Sequence, residues 1–132
     1  QRARPYLFSN SLAPPVVGGS LKALEIAIRS DDRRALLARH AACFRAGLAE
    51  AGFSLLPGAT PIIPVMLNDA RRAQAMAAAL DERGVYVAGF FLPVVPQGAA
   101  RIRAQLSAAL SEADVDFAVS AFADAGRAIG AI

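Results

Sequence analysis

The chain has 132 residues, 55% hydrophobic and 19% charged, with a net charge of +3 and a single cysteine. That length suits one domain with a real core, and the lone Cys43 excludes an internal disulfide and fits a reducing, cytoplasmic setting. No apolar run approaches the roughly 18 residues that span a bilayer, "QRARPYLF" lacks the apolar core of a secretory leader, and one histidine, His40, is too few for a Cys/His metal cluster.

The first stretch, "RPYLFSNSLAPP", reads as extended, because Pro5, Pro14 and Pro15 oppose helix and Ser9, Asn10 and Ser11 favour turns. From Val16 to Ile28 the spacing of Val17, Leu21, Leu24 and Ile28 predicts an amphipathic helix. "SDDRRALLARHAACFRAGLAEAGF" predicts a second helix, capped by Ser30 or Asp31 and stopped by Gly52. Its buried stripe is Leu36, Leu37, Phe44 and Leu48, with Arg33, Arg34, Arg39, Arg45 and Glu50 facing water.

"TPIIPVML" is β-branched and apolar, and Pro61 and Pro64 mark it as an edge strand or a broken one. Asn68 or Asp69 caps a helix that runs to about Arg83 and ends at Gly84. "VYVAGFF" predicts a strand, "LPVVPQG" a stiff turn, and "ARIRAQLS" a third strand with one covered and one polar face. Ser111 and Asp114 set a capping pattern for the last helix, which buries Val115, Ala118, Val119, Phe122 and Ile129. The expected fold class is therefore α/β (α+β), a short three-stranded sheet covered by helices in the order α-α-β-α-β-β-α. The apolar surplus implies that some surface is covered by another chain or another part of the same protein.

Residues i and i+2 of a strand point the same way. Arg101 and Arg103 thus project side by side, with Gln105 and Ser107 further along. An arginine fork grips a carboxylate through two parallel hydrogen bonds, and the apolar "FFLPVVPQG" beside it strengthens that grip by lowering the local dielectric. A merely solvated strand face is the alternative. Lys22, the only lysine, lies mid-helix without an activating pocket and reads as solvated. His40 has no triad partner at near spacing and reads as a surface or boundary residue, and Cys43 reads as core filler. The basic residues are scattered, and no basic run interleaves aromatics, so no nucleic-acid partner is expected. Ser9, Asn10 and Ser11 can meet a phosphate through hydroxyls and backbone N–H groups, although a turn is the default. The residues thus give an anion-binding candidate but no base, nucleophile or metal of a catalytic engine.

Three segments together carry a resemblance: "RPYLFSNSLAPP", "IIPVML" and "GFFLPVVPQGAARIRAQLSAA". Over essentially its whole length the chain resembles the C-terminal third of the α-oxoamine synthases, pyridoxal-phosphate (PLP) enzymes of the aspartate-aminotransferase fold type. "PYLFSNSLAP" and "PVVPxGxARIRxQ" resemble most the branch that condenses glycine with acetyl-CoA to 2-amino-3-oxobutyrate. The resemblance implies that residues 1–15 form an extended segment crossing between domains and across a homodimer, with residues 16–132 an α/β lobe. It implies that Arg103 binds the substrate carboxylate, and that Ser9, with Asn10 and Ser11 behind it, serves the PLP phosphate of the partner subunit. Arg101 is left as a neighbour or salt-bridge partner. The family's cofactor-linking lysine belongs to a large domain that does not match this chain, and Lys22 does not fit its motif, so no catalytic residue is expected here and the chain alone is expected to be inactive. The family usually has histidine where Leu110 stands. The other reading is a stand-alone α/β module that binds a carboxylate, or a dimerisation or regulatory domain.

Overall fold

The structure is a computed structural model that describes residues 2–4 and 11–132. Ser9 and Asn10 lie outside the described residues; Ser11 lies inside and is exposed. The chain divides into two compact units, Gln1–Asp32 and Arg33–Ile132.

In the first unit, helix α1 runs Pro14–Ile28. It begins two residues before the expected start, because proline is tolerated in the first helical turn, where its missing N–H has no carbonyl to meet. None of its residues is buried, and Leu21, Leu24 and Ile28 are 63%, 61% and 74% exposed. No helix among the described residues is long and apolar enough to cross a membrane.

Helix α2 (Asp31–Glu50) leads into strands β1 (Ser54–Leu55) and β2 (Ile62–Met66), helix α3 (Ala70–Asp81), strands β3 (Ala88–Phe90) and β4 (Arg101–Gln105), and helix α4 (Glu112–Ala128). The sheet has four strands in the order β1-β2-β4-β3, all antiparallel. The expected three-strand count misses β1, which at two residues is too short to show an alternation.

Strand β2 is interior, against the edge position, one of the two readings its prolines allow. Leu56 N–H donates to Pro64 O at 3.2 Å, and Pro64 has no N–H to return. The Leu56 carbonyl accepts instead from Arg45 Nη1 at 3.0 Å, and Arg45 Nη2 reaches Thr60 O at 3.4 Å and Ile62 O at 3.3 Å. Arg45 is therefore not the solvated arginine the helix pattern suggested; it stands in for the donor that the proline lacks.

The core lies on one side of the sheet. Ile63, Val65, Ile102 and Ala104 face it and are buried, each isolated hydrocarbon worth about 1.5–3 kcal/mol for a residue of valine or isoleucine size. Helices α2, α3 and α4 supply Phe44 and Leu48, Met76 and Leu80, and Val115 and Phe122. Phe122 is the hub: the Phe44 and Phe53 rings meet it edge-on with centroids at 5.5 and 6.1 Å. Gly126 belongs to the same packing, since a Cβ there would lie 2.5 Å from Phe53 Cζ. Asp69 caps α3 by accepting from Arg72 N–H, and the expected capping box at Ser111 and Asp114 is complete. Of the five residues expected to be buried by the last helix, Val115 and Phe122 are buried, and Ala118, Val119 and Ile129 are half-buried against the core.

Candidate functional site

The other face of the sheet is left open by helices α2, α3 and α4. It is built by alternation: Ile62, Pro64 and Met66 from β2, Arg101, Arg103 and Gln105 from β4, and Ala88 and Phe90 from β3. The register sets Arg103 between Pro64 and Ala88, and Arg101 between Met66 and Phe90. Both arginines reach the same face, as the strand period requires.

Their surroundings divide them. Arg101 is half-buried, and its Nε donates to Ala99 O at 3.0 Å, which ties β4 to the end of the proline-rich turn. Arg103 is exposed, and its Cζ lies over the Phe90 ring, 4.5 Å from the centroid. No hydrogen bond or ion pair takes its donors among the described residues. A groove of about 280 Å³ opens next to it, between Tyr86–Ala88 and Arg103–Ser107. β3 has stopped pairing with β4 there, because the ladder ends at Ala88 and Arg103.

A second cleft of about 380 Å³ shares Tyr86, Val87, Gln105 and Leu106 with that groove and continues between Phe44, Leu110, Phe117 and Phe122. Its wall is mostly apolar, with the Asp114 carboxylate at the rim. The hydrogen bonds from Ser111 hold that carboxyl below the usual carboxylate range.

The remaining candidates lie elsewhere. Lys22 Nζ pairs with Glu25 at 3.0 Å on an exposed helix, in keeping with a solvated lysine. His40 is buried, not at the surface, because it faces α4 beside Val115; neither ring nitrogen has a hydrogen-bond partner among the described residues. Cys43 is exposed and not core filler. Among the described residues no group of three or more His, Cys, Asp or Glu side chains can hold a metal ion.

The family model for aminotransferases of class I and II matches residues 1–122. The chain belongs to the aminotransferase class I and II family. Within that family it is 50% identical over all 132 residues to the human mitochondrial 2-amino-3-ketobutyrate coenzyme A ligase, and 49% identical to the ligase of Escherichia coli K12. It is 38% identical to an 8-amino-7-oxononanoate synthase of Petrotoga mobilis. Among solved structures, the serine palmitoyltransferase of Sphingomonas wittichii superposes with a TM-score of 0.90 at 34% identity, covering 99% of this chain and 33% of that one. The chain spans about a third of the length of these relatives, 32% of the human ligase and 33% of the bacterial one.

The alternation of β4 places Arg103 on the open face, but nothing in the sequence points to Phe90 beneath it or to Arg45 at the Leu56 carbonyl. The "GFF" run gives no sign of which phenylalanine faces the arginines, since that depends on the β3–β4 register. Nothing in the spacing ties Arg45 to Leu56.

Proposed function

We propose that this chain is the C-terminal lobe of a PLP-dependent acyltransferase of the 2-amino-3-ketobutyrate coenzyme A ligase kind. The whole protein, a homodimer in this reading, condenses glycine with acetyl-CoA to 2-amino-3-oxobutyrate and runs the reverse cleavage in threonine breakdown. One observation carries the lobe's part: of two arginines on one strand face, Arg101 is bonded to its own turn and Arg103 keeps its donors for a ligand. A guanidinium with an aromatic ring on one side and open space on the other suits a carboxylate.

The described residues fit the rim of a PLP site and not its centre. The one lysine is exposed and ion-paired, without the desolvation that activates an amine. Ser11 is exposed, and Ser9 and Asn10, proposed to meet the phosphate of the partner subunit's cofactor, lie outside the described residues. When bound, PLP supplies an electron sink for the glycine carbanion. This lobe's task is to fix the carboxylate, so that the glycine Cα is presented to that sink in one orientation.

In the full-length protein, Arg103→Ala raises the glycine KM roughly 10- to 150-fold, the loss of about 1.5–3 kcal/mol in a charged hydrogen-bonded contact. The acetyl-CoA KM stays within about twofold. An unchanged glycine KM removes Arg103 from the site. The 132-residue chain alone, given glycine, acetyl-CoA and PLP, shows no turnover above background; turnover would overturn its reading as one lobe of the enzyme.

A further inference from the structure

We propose that Phe90 is a positioning residue for Arg103, and that it acts on the substrate carboxylate only through that arginine. The inference rests on the carboxylate reading of Arg103 and adds what holds the arginine in place.

An arginine side chain has four rotatable bonds and loses much freedom when it grips a ligand. A ring beneath the guanidinium reduces that loss by holding the fork before the ligand arrives. Three features of the sheet put such a ring there. Ala88, directly opposite Arg103, is too small to touch the fork and leaves room for the side chain to lie along the strand. Phe90, diagonal to Arg103 across the ladder, is within reach of a long side chain, and its ring receives Cζ at 4.5 Å. Arg101 stands directly opposite Phe90 and would compete for the same ring, but its Nε is committed to Ala99 O at 3.0 Å.

The two phenylalanines of "GFF" therefore do different work. Phe91 is packed against the core, while Phe90 lies on the open face with the arginines. Contact with the ring uses none of the five N–H donors of the guanidinium in a hydrogen bond, so support and carboxylate binding do not compete.

The test uses the full-length enzyme with its cofactor, in four variants: Phe90→Leu, Phe90→Tyr, Arg103→Ala, and Phe90→Leu combined with Arg103→Ala. Glycine affinity is read by calorimetry and as KM, with the acetyl-CoA KM and the thermal midpoint measured alongside. Phe90→Leu is expected to weaken glycine roughly three- to tenfold, the scale of one cation–π contact, with the acetyl-CoA KM and the midpoint unchanged. Phe90→Tyr, which keeps a ring face, restores wild-type affinity. In the Arg103→Ala background, Phe90→Leu adds nothing further. An equal loss with and without Arg103, or a Phe90→Tyr variant as weak as Phe90→Leu, overturns the positioning role and leaves the carboxylate reading intact. If Arg103→Ala alone leaves glycine binding unchanged, the carboxylate reading fails first and this inference fails with it.

Discussion

One face of the sheet holds Ile63, Val65, Ile102 and Ala104 under three helices, and all four are buried. The other holds Ile62, Pro64, Met66, Phe90 and three long polar side chains, and none of them is buried. The same strands build both, one residue out of phase. The covered face offers only hydrocarbon, so its contribution is area removed from water. The open face offers the donors of Arg103, which no hydrogen bond or ion pair among the described residues takes. Stability and ligand binding are thus separated by the strand period, and substitutions can address one without the other.

The largest effect belongs to the covered side. Phe122→Ala removes the ring on which Phe44 and Phe53 converge and leaves a cavity under the sheet. The expected loss is about 3–5 kcal/mol, read from the urea unfolding midpoint. A loss below about 1 kcal/mol would mean that the core does not turn on this ring. Arg45→Met comes next. It strips the donors from the carbonyls of Leu56, Thr60 and Ile62 while keeping the aliphatic stem, and is expected to cost about 1–2 kcal/mol. Amide exchange should then rise first at Leu56, whose N–H bonds to Pro64 O. On the open face, Arg103→Ala is expected to move the unfolding midpoint by less than about 0.5 kcal/mol, whatever it does to the proposed carboxylate ligand. A large stability loss at Arg103 would break the separation of the two faces.

The same division explains what could be read from the residues alone. β4 was legible because its alternation continues through Ile102, Ala104 and Leu106 on one side and Arg101, Arg103 and Gln105 on the other. The capping box was legible because Ser111 and Asp114 act within one turn. What failed depended on contacts far apart in sequence. Pro64 argued for an edge because the helix residue that compensates for it is nineteen positions away, at Arg45. His40 reads as a surface or boundary residue because the α4 residues beside it, Glu112, Val115 and Asp116, lie more than seventy positions on. Phe90 could be told from Phe91 only once the β3–β4 register was known. The apolar surplus was legible as a surplus, and α1 accounts for part of it, with Leu21, Leu24 and Ile28 all exposed.

The smallest expected effect lies at the N-terminus of α4, the helix that carries Phe122 over the covered face. There the Asp114 carboxylate accepts from Ser111 N–H and Oγ, both at 2.8 Å, and these bonds hold its pKa below the ordinary value of 3.8. A carboxyl whose pKa is lower in the folded state adds stability at pH above its unfolded value, and that contribution disappears as the pH falls through the folded value. Asp114→Asn should therefore be less stable than the wild type by a constant margin at pH 5 and above. Below about pH 4 the margin should shrink, because the wild type is then losing what the variant never had. Urea midpoints of the two proteins between pH 2.5 and 6 give this directly. The margin should also fall with added salt, since an exposed carboxylate is screened. Parallel curves across the whole range would show that the cap works through its geometry alone, and that charge at this rim does nothing to hold α4 over the covered face.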